Sequence, residues 1–186
     1  MSDTETQILD AAIAAVAFSG MRKTSVGDIA DRAGVSRQTV YNLFGAKDDV
    51  YRAAIEHLGL RWRTQAQKGL ESATGLSEQL DALFEVFAVE AFRFSHANPD
   101  SADMFLEAHL VAPDLMAEFF DKNRELFAQV LSPYSDQLNE RGLSVTGLAD
   151  QLEIACRGYK RDARSLEHLR ELLVTQKSLT LAHLGL

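Results

Sequence analysis

The chain has 186 residues, of which 46% are apolar and 25% charged, enough for one or two units with a real core and ordinary for a globular protein. A single cysteine, Cys156, excludes a disulfide framework and a cysteine-rich zinc site. The formal net charge of −8 argues at first against nucleic acid, but it is unevenly spread. From Arg22 to Arg52 there are six basic residues against four acidic ones, whereas the remainder is strongly acidic.

The N-terminal stretch MSDTETQILD is acidic and lacks the basic-then-apolar pattern of a signal peptide. No run approaches the roughly 18 apolar residues of a membrane span, so a cytoplasmic protein is expected, with no membrane partner. The first helix is expected from Thr4 to Ser19, with Ile8, Leu9, Ala12, Ala15, Val16 and Phe18 turned inward and Gly20 ending it. A second helix follows from about Val26 to Ala33. Ser25 can cap it, and Gly34 stands where a helix stops in the left-handed conformation. Ser36 is a second cap, opening a helix from about Arg37 to Leu43. Its inward residues are Val40 and Phe44, and its outward ones Arg37, Gln38, Thr39, Tyr41 and Asn42.

Two short helices joined by a glycine-containing turn read as a helix-turn-helix. The outward set has the donors and acceptors that base edges ask for: arginine for guanine, glutamine or asparagine for adenine, threonine for a thymine methyl or a phosphate. A plain helical hairpin with a solvated outer face would look similar.

The segment ILDAAIAAVAFSGMRKTSVGDIADRAGVSRQTVYNLFGAKDDVYRAAI resembles the N-terminal DNA-binding domain of the TetR family of transcriptional regulators. Phe18, Gly20, Thr24, Ser25, Ile29, Ala30, Ala33, Gly34, Val35, Ser36, Thr39, Val40, Tyr41, Phe44 and Lys47 carry the likeness. Two positions depart from it: Gly27, where the family often has a basic or polar side chain, and Leu43, where it often has His or Tyr. The resemblance implies an all-α protein of about nine helices. A helix-turn-helix domain would span residues 1–46 and a helical ligand-binding and dimerisation domain residues 47–186. Arg37, Gln38, Thr39 and Asn42 would read base edges, Ser25, Tyr41 and Lys47 would bind phosphates, and Thr24 and Ser36 would complete the DNA-facing set.

Lys47, Asp48 and Asp49 open a long fourth helix running through Trp62 to about Gly69. The acidic pair suits a helix N-terminus; Lys47 does not, and a nearby phosphate would explain it. Beyond Gly69 periodicity alone speaks. It predicts helices over about 77–98, 101–110, from Pro113 to before Pro133, 146–160 and 165–183.

Eight of the ten phenylalanines lie between Phe84 and Phe127. Aromatic and methionine side chains on facing helices can enclose an apolar pocket or simply fill a core. The candidate lining is Trp62, Phe84, Phe87, Phe92, Met104, Phe105, His109, Met116, Phe119 and Phe120, with Arg93, His96 and Glu107 as further polar groups. Two leucine-rich stripes close the chain: Leu148, Leu152, Ala155 and Tyr159, then Leu166, Leu169, Leu172, Leu173, Leu179 and Leu184, which could pair as an internal helical hairpin or be covered by a second copy. With the resemblance they imply a homodimer, which could present two recognition helices to a palindromic operator.

The leading expectation is a regulator of double-stranded DNA, most often a repressor, released by a small apolar or amphipathic ligand. It is not an enzyme and needs no cofactor or metal. The rival is a helical small-molecule-binding or catalytic protein whose hairpin is only structural, although no nucleophile–base pair, phosphate-cradling loop or metal spacing is present.

Overall fold

The computed structural model describes residues 1–96 and 104–186, leaving aside the side chains of residues 104–106. Its helices are α1 (Asp3–Lys23), α2 (Val26–Ala33), α3 (Arg37–Phe44), α4 (Lys47–Ser72), α5 (Leu76–Phe84), α6 (Ala91–Ser95), α7 (Met104–Val111), α8 (Pro113–Leu131), α9 (Ser135–Glu140), α10 (Val145–Asp162) and α11 (Leu166–Leu184). A π-helical segment, Glu85–Glu90, joins α5 to α6 without a break, and a 3-10 turn, Ser132–Tyr134, precedes α9. With 76–95 taken as one helix and the six-residue α9 set aside, there are nine principal helices and no strand among the described residues. The all-α class expected from the sequence is the one observed.

The chain divides into two compact units, Met1–Arg61 with Phe94–Phe119, and Trp62–Arg93 with Phe120–Leu186. The first unit therefore extends past the boundary expected at 46/47, because α7 packs on α1 and Glu107 of α7 accepts the Met21 amide at 2.8 Å.

In the first unit, α1 starts at a Ser2–Glu5 capping box and turns sharply at Gly20 (φ 76°, ψ 160°) before a last turn to Lys23. Ile8, Leu9, Ala12, Ala15 and Val16 are buried as expected. Phe18 is not: it is 60% exposed, because it sits on the flank of the stripe centred on Ile8, Ala12 and Val16. Tyr51 of α4 is buried, and its hydroxyl reaches the carbonyls of Met21 (3.0 Å) and Thr24 (2.8 Å), tying down the loop that leads into α2. Burial pushes its phenol pKa up. On the surface, Arg52 grips Asp114 through two bonds of 3.0 and 2.5 Å, and this guanidinium holds the Asp114 carboxyl down to about 2. Asp10 accepts from Arg61 at 2.8 Å and pairs with His57 at 3.1 Å.

In the second unit, Phe84, Leu80, Leu83 and Phe87 are buried, and the Phe84 and Phe87 rings each lie 6.0 Å from the ring of Phe127. The π-helical segment and α5 pack against α10 and α11. The same core holds polar groups. Glu153 is 2% exposed and accepts from Arg157 Nε at 2.9 Å; Arg157 in turn lies 4.3 Å from the centroid of the Phe120 ring. Gln176 accepts from the Tyr159 hydroxyl at 3.0 Å. Burial raises the Glu153 pKa and pulls Lys160, 8% exposed, down to about 8, with the Glu153 charge opposing the fall at Lys160.

Tyr51→Phe leaves two loop carbonyls without their donor, and should lower unfolding free energy by about 1–2 kcal/mol in a denaturant titration. Lys160 tests the second core. Its native pKa lies below the usual 10.5, so the unfolded chain binds more protons between about pH 8 and 10.5, and this residue makes stability rise with pH across that window. The buried Cys156 thiol, pushed up, tilts the curve the other way, so the readout is the difference between wild type and Lys160→Met. Relative to the variant, wild type should gain stability as pH rises from about 8 to about 10.5.

Candidate nucleic-acid interface

Local chemistry builds α2 and α3. The Ser25 hydroxyl accepts the Asp28 amide while the Asp28 carboxylate accepts the Ser25 amide at 2.7 Å, a reciprocal cap. That same bonding, first from the Ser25 hydroxyl and then from its amide, holds the Asp28 carboxyl below its usual range. Gly34 ends α2 at φ 65°, and the Val35 amide closes the turn onto the Ala30 carbonyl at 3.0 Å. Ser36 then caps α3 by accepting the Thr39 amide at 3.0 Å.

Along α3 only Val40 is buried, at 0% exposure, and Phe44 is half-buried. This helix packs on α2, whose Ile29, Ala30 and Ala33 are each at most 2% exposed. Gln38 and Asn42 lie on the opposite face and Arg37 and Tyr41 on the flanks, all exposed, with Thr39 half-buried beside Ser36. Gln38 donates to Asn42 Oδ1 at 2.7 Å, so two amide side chains one turn apart form a single polar plate. The Thr39 and Ser36 hydroxyls share a bond of 2.9 Å. Lys47 is half-buried with its ammonium 5.2 Å from the centroid of the Tyr51 ring, an attraction that helps hold a cation at a helix N-terminus.

One DNA-facing expectation needs correction. Thr24 is 2% exposed and its hydroxyl donates to the Gly20 carbonyl at 2.8 Å. The kink at Gly20 turns that carbonyl toward it, so the side chain is spent inside the fold. Ser25 is exposed, but its hydroxyl is engaged with Asp28.

The expected pocket residues divide between the units. Trp62, Phe84, Phe87 and Phe92 are buried in the second, where Phe120 is half-buried under Arg157. Met116 and Phe119 are buried in the first, and the side chains of Met104 and Phe105 lie outside the described residues. His109 is exposed, and so are Arg93, bonded to Glu85 and Glu90, and His96. Glu107 is turned to the Met21 amide. Sequence reasoning missed the polar groups that are inside. Asn123, 3% exposed, has an amide oxygen with no hydrogen-bond partner, and Glu153 falls on the buried face of α10. Their one visible signal is a polar residue at a core period, Asn123 four residues after Phe119 and four before Phe127.

The leucine stripes are also corrected. Leu148, Leu152, Leu169 and Leu173 are at most 9% exposed within the unit, since they are the contacts of α10 and α11 with their own core. Ala155, Tyr159, Leu166 and Leu172 are half-buried at the flanks. The apolar side chains that do face out are Ile154, 49% exposed, Val174, 58%, and Leu179, 63%. No described helix is long and apolar enough to cross a membrane.

Comparison with known proteins bears on the first unit most directly. The family model described as bacterial regulatory proteins, tetR family, matches residues 8–54. The HTH-type transcriptional repressor KstR2 of Rhodococcus jostii (strain RHA1) is 30% identical over 139 residues, covering 70% of this chain. The chain spans 64% of that relative's length. A Rhodococcus sp. structure described as a TetR-family transcriptional regulator superposes with a TM-score of 0.75 at 20% identity, covering 96% of this chain and 98% of the other. The transcriptional regulator FadR of Bacillus subtilis, solved with stearoyl-CoA, gives 0.63 at 17% identity, covering 93% and 97%. At such identities these two structures speak for the fold. Residues 8–54, with the capped α2, left-handed Gly34 and polar-faced α3, are thus similar to the DNA-binding domain of the tetR family of bacterial regulatory proteins.

Proposed function

We propose that the protein is a homodimeric transcriptional repressor that leaves a palindromic operator when a small apolar or amphipathic effector enters its second unit. The observation that carries the reading is the outer face of α3, where Arg37, Gln38, Tyr41 and Asn42 stand exposed on a helix docked by Val40. Gln38 and Asn42, already bonded to one another, are the amide pair suited to adenine in the major groove. Tyr41 and Lys47 set register on phosphates. A modest local excess of positive charge makes the affinity steeply salt-dependent.

One short helix reads only a few base pairs, so a second copy is needed to read both halves of a site about 34–36 Å apart. The outer faces of α10 and α11 suit that copy. Ile154 and Val174 are exposed there, and a Cβ at Gly158 would meet nothing within 4 Å, so a partner helix can approach closely. The effector reading rests on the clustered Phe84, Phe87 and Phe127 of the second unit and on the buried, unpaired amide oxygen of Asn123, a polar group that a ligand could satisfy. The stearoyl-CoA bound by the Bacillus subtilis relative is a long apolar chain with a polar head, the same chemical class. For release, the effector must bind the DNA-incompetent state more tightly than the competent one.

Selection from random DNA fragments should enrich one palindrome. On that operator at fixed salt, Asn42→Ala should cost about 1–3 kcal/mol and relax one base position, while Lys47→Ala should weaken all sequences alike and reduce the salt slope by about 1. No enrichment at any salt would favour the structural-hairpin alternative. Long-chain acyl-CoA, titrated against the operator complex, should release it. Asn123→Leu should leave the melting temperature unchanged or higher, because it removes an unpaired buried acceptor, while weakening acyl-CoA binding in a calorimetric titration. A variant binding acyl-CoA as tightly as wild type would take Asn123 out of the effector site.

A further inference from the structure

We propose that Gly27, which has no side chain to offer DNA, is a specificity-determining position because it is the seat of the Arg37 guanidinium. The inference rests on the operator-binding reading above. Gly27 is the second residue of α2 and is buried. A Cβ at that point would lie 2.6 Å from Arg37 Nη2 and 2.9 Å from both its Cζ and its Nε, and these are the three nearest atoms. Carbon and nitrogen atoms do not approach so closely without bonding, so the arrangement is open to glycine alone. Arg37, the first residue of α3, is exposed yet lies back across the turn onto α2 instead of standing away from its own helix.

Electrostatics favours the seat. A guanidinium near the first turn of a helix meets the positive end of the helix dipole. Asp28, the next residue of α2, offsets this: its carboxylate faces Ser25 and also feels the Arg37 charge. A long arginine on a bare surface would sample many rotamers and lose that freedom on binding DNA. Seated on Gly27, it has lost part of it beforehand, and its planar fork is presented from one direction. Gly27 thus decides which operator position Arg37 reads. Among the residues that resemble the TetR motif, position 27 is one of the two that depart from it, so the seat belongs to this chain's own sequence.

The test uses the full-length chain in four forms: wild type, Gly27→Ala, Arg37→Ala and the double variant. The atoms in the way of the new methyl group are the far end of a flexible side chain, so Gly27→Ala should fold and melt no lower than wild type. Selection and affinity at fixed salt should show Arg37→Ala flattening the preference at one operator position. Gly27→Ala should alter preference at that same position and weaken binding at least fivefold, and the double variant should match Arg37→Ala within twofold. A silent Gly27→Ala beside an impaired Arg37→Ala overturns the inference alone. So does a Gly27→Ala loss of equal size in the Arg37→Ala background, or a silent Arg37→Ala. If wild type enriches no sequence, the operator-binding reading falls and this inference with it. Should Gly27→Ala fail to fold, relaxation of the Arg37 Nε–H in free wild type decides: an ordered side chain supports the seat, and a freely mobile one overturns it.

Discussion

The polar face of α3 depends on the burial of one side chain. Val40 is the single buried residue of that helix, and α3 packs on α2, whose Ile29, Ala30 and Ala33 are buried. Burying a valine side chain is worth about 1.5–3 kcal/mol, a sizeable part of a domain's net stability of about 5–15 kcal/mol. Because each helical residue turns about 100°, holding Val40 inward fixes the azimuth of every other α3 side chain. Gln38, Tyr41 and Asn42 are turned away for that reason, whereas Arg37, about 60° from Val40, is exposed but lies back over Gly27 of α2.

Around that contact, the backbone ends are satisfied locally. Ser25 and Asp28 cap α2, Gly34 turns the chain in the left-handed region, and Ser36 caps α3. The Tyr51 hydroxyl then fastens the loop before α2 from the side of α4. The result is a short two-helix element whose positions are set by hydrogen bonds while its outer surface stays free for another molecule. Arg37 shows how close the coupling is: its direction is decided by a hydrogen atom in place of a Cβ on the neighbouring helix.

The second unit follows the opposite logic. Its core admits Glu153, Lys160, Gln176 and Asn123 among phenylalanines and leucines, at a cost in stability that an apolar core would not bear. Most of these groups find partners, as Glu153 does in Arg157. Asn123 does not complete its set: its amide oxygen is buried without a partner.

What the sequence alone determined is everything decided within a few residues along the chain. The all-α class, the two serine caps, the left-handed Gly34, Pro113 at the start of α8 and the outward set of α3 are of this kind, because caps, turns and helical period are local properties. Only tertiary structure decided which side of an apolar helix meets its own core. Periodicity shows a stripe without showing what covers it, so Phe18 proved exposed, and Leu148, Leu152, Leu169 and Leu173 proved to be core, leaving Ile154 and Val174 outside. Thr24 was lost to the interior by a kink at Gly20, and the π-helical turn at Glu85–Glu90 had no signal in the pattern. The seating of Arg37 on Gly27 lies beyond sequence reading for the same reason: it joins two helices at an atomic distance that spacing along a chain does not encode.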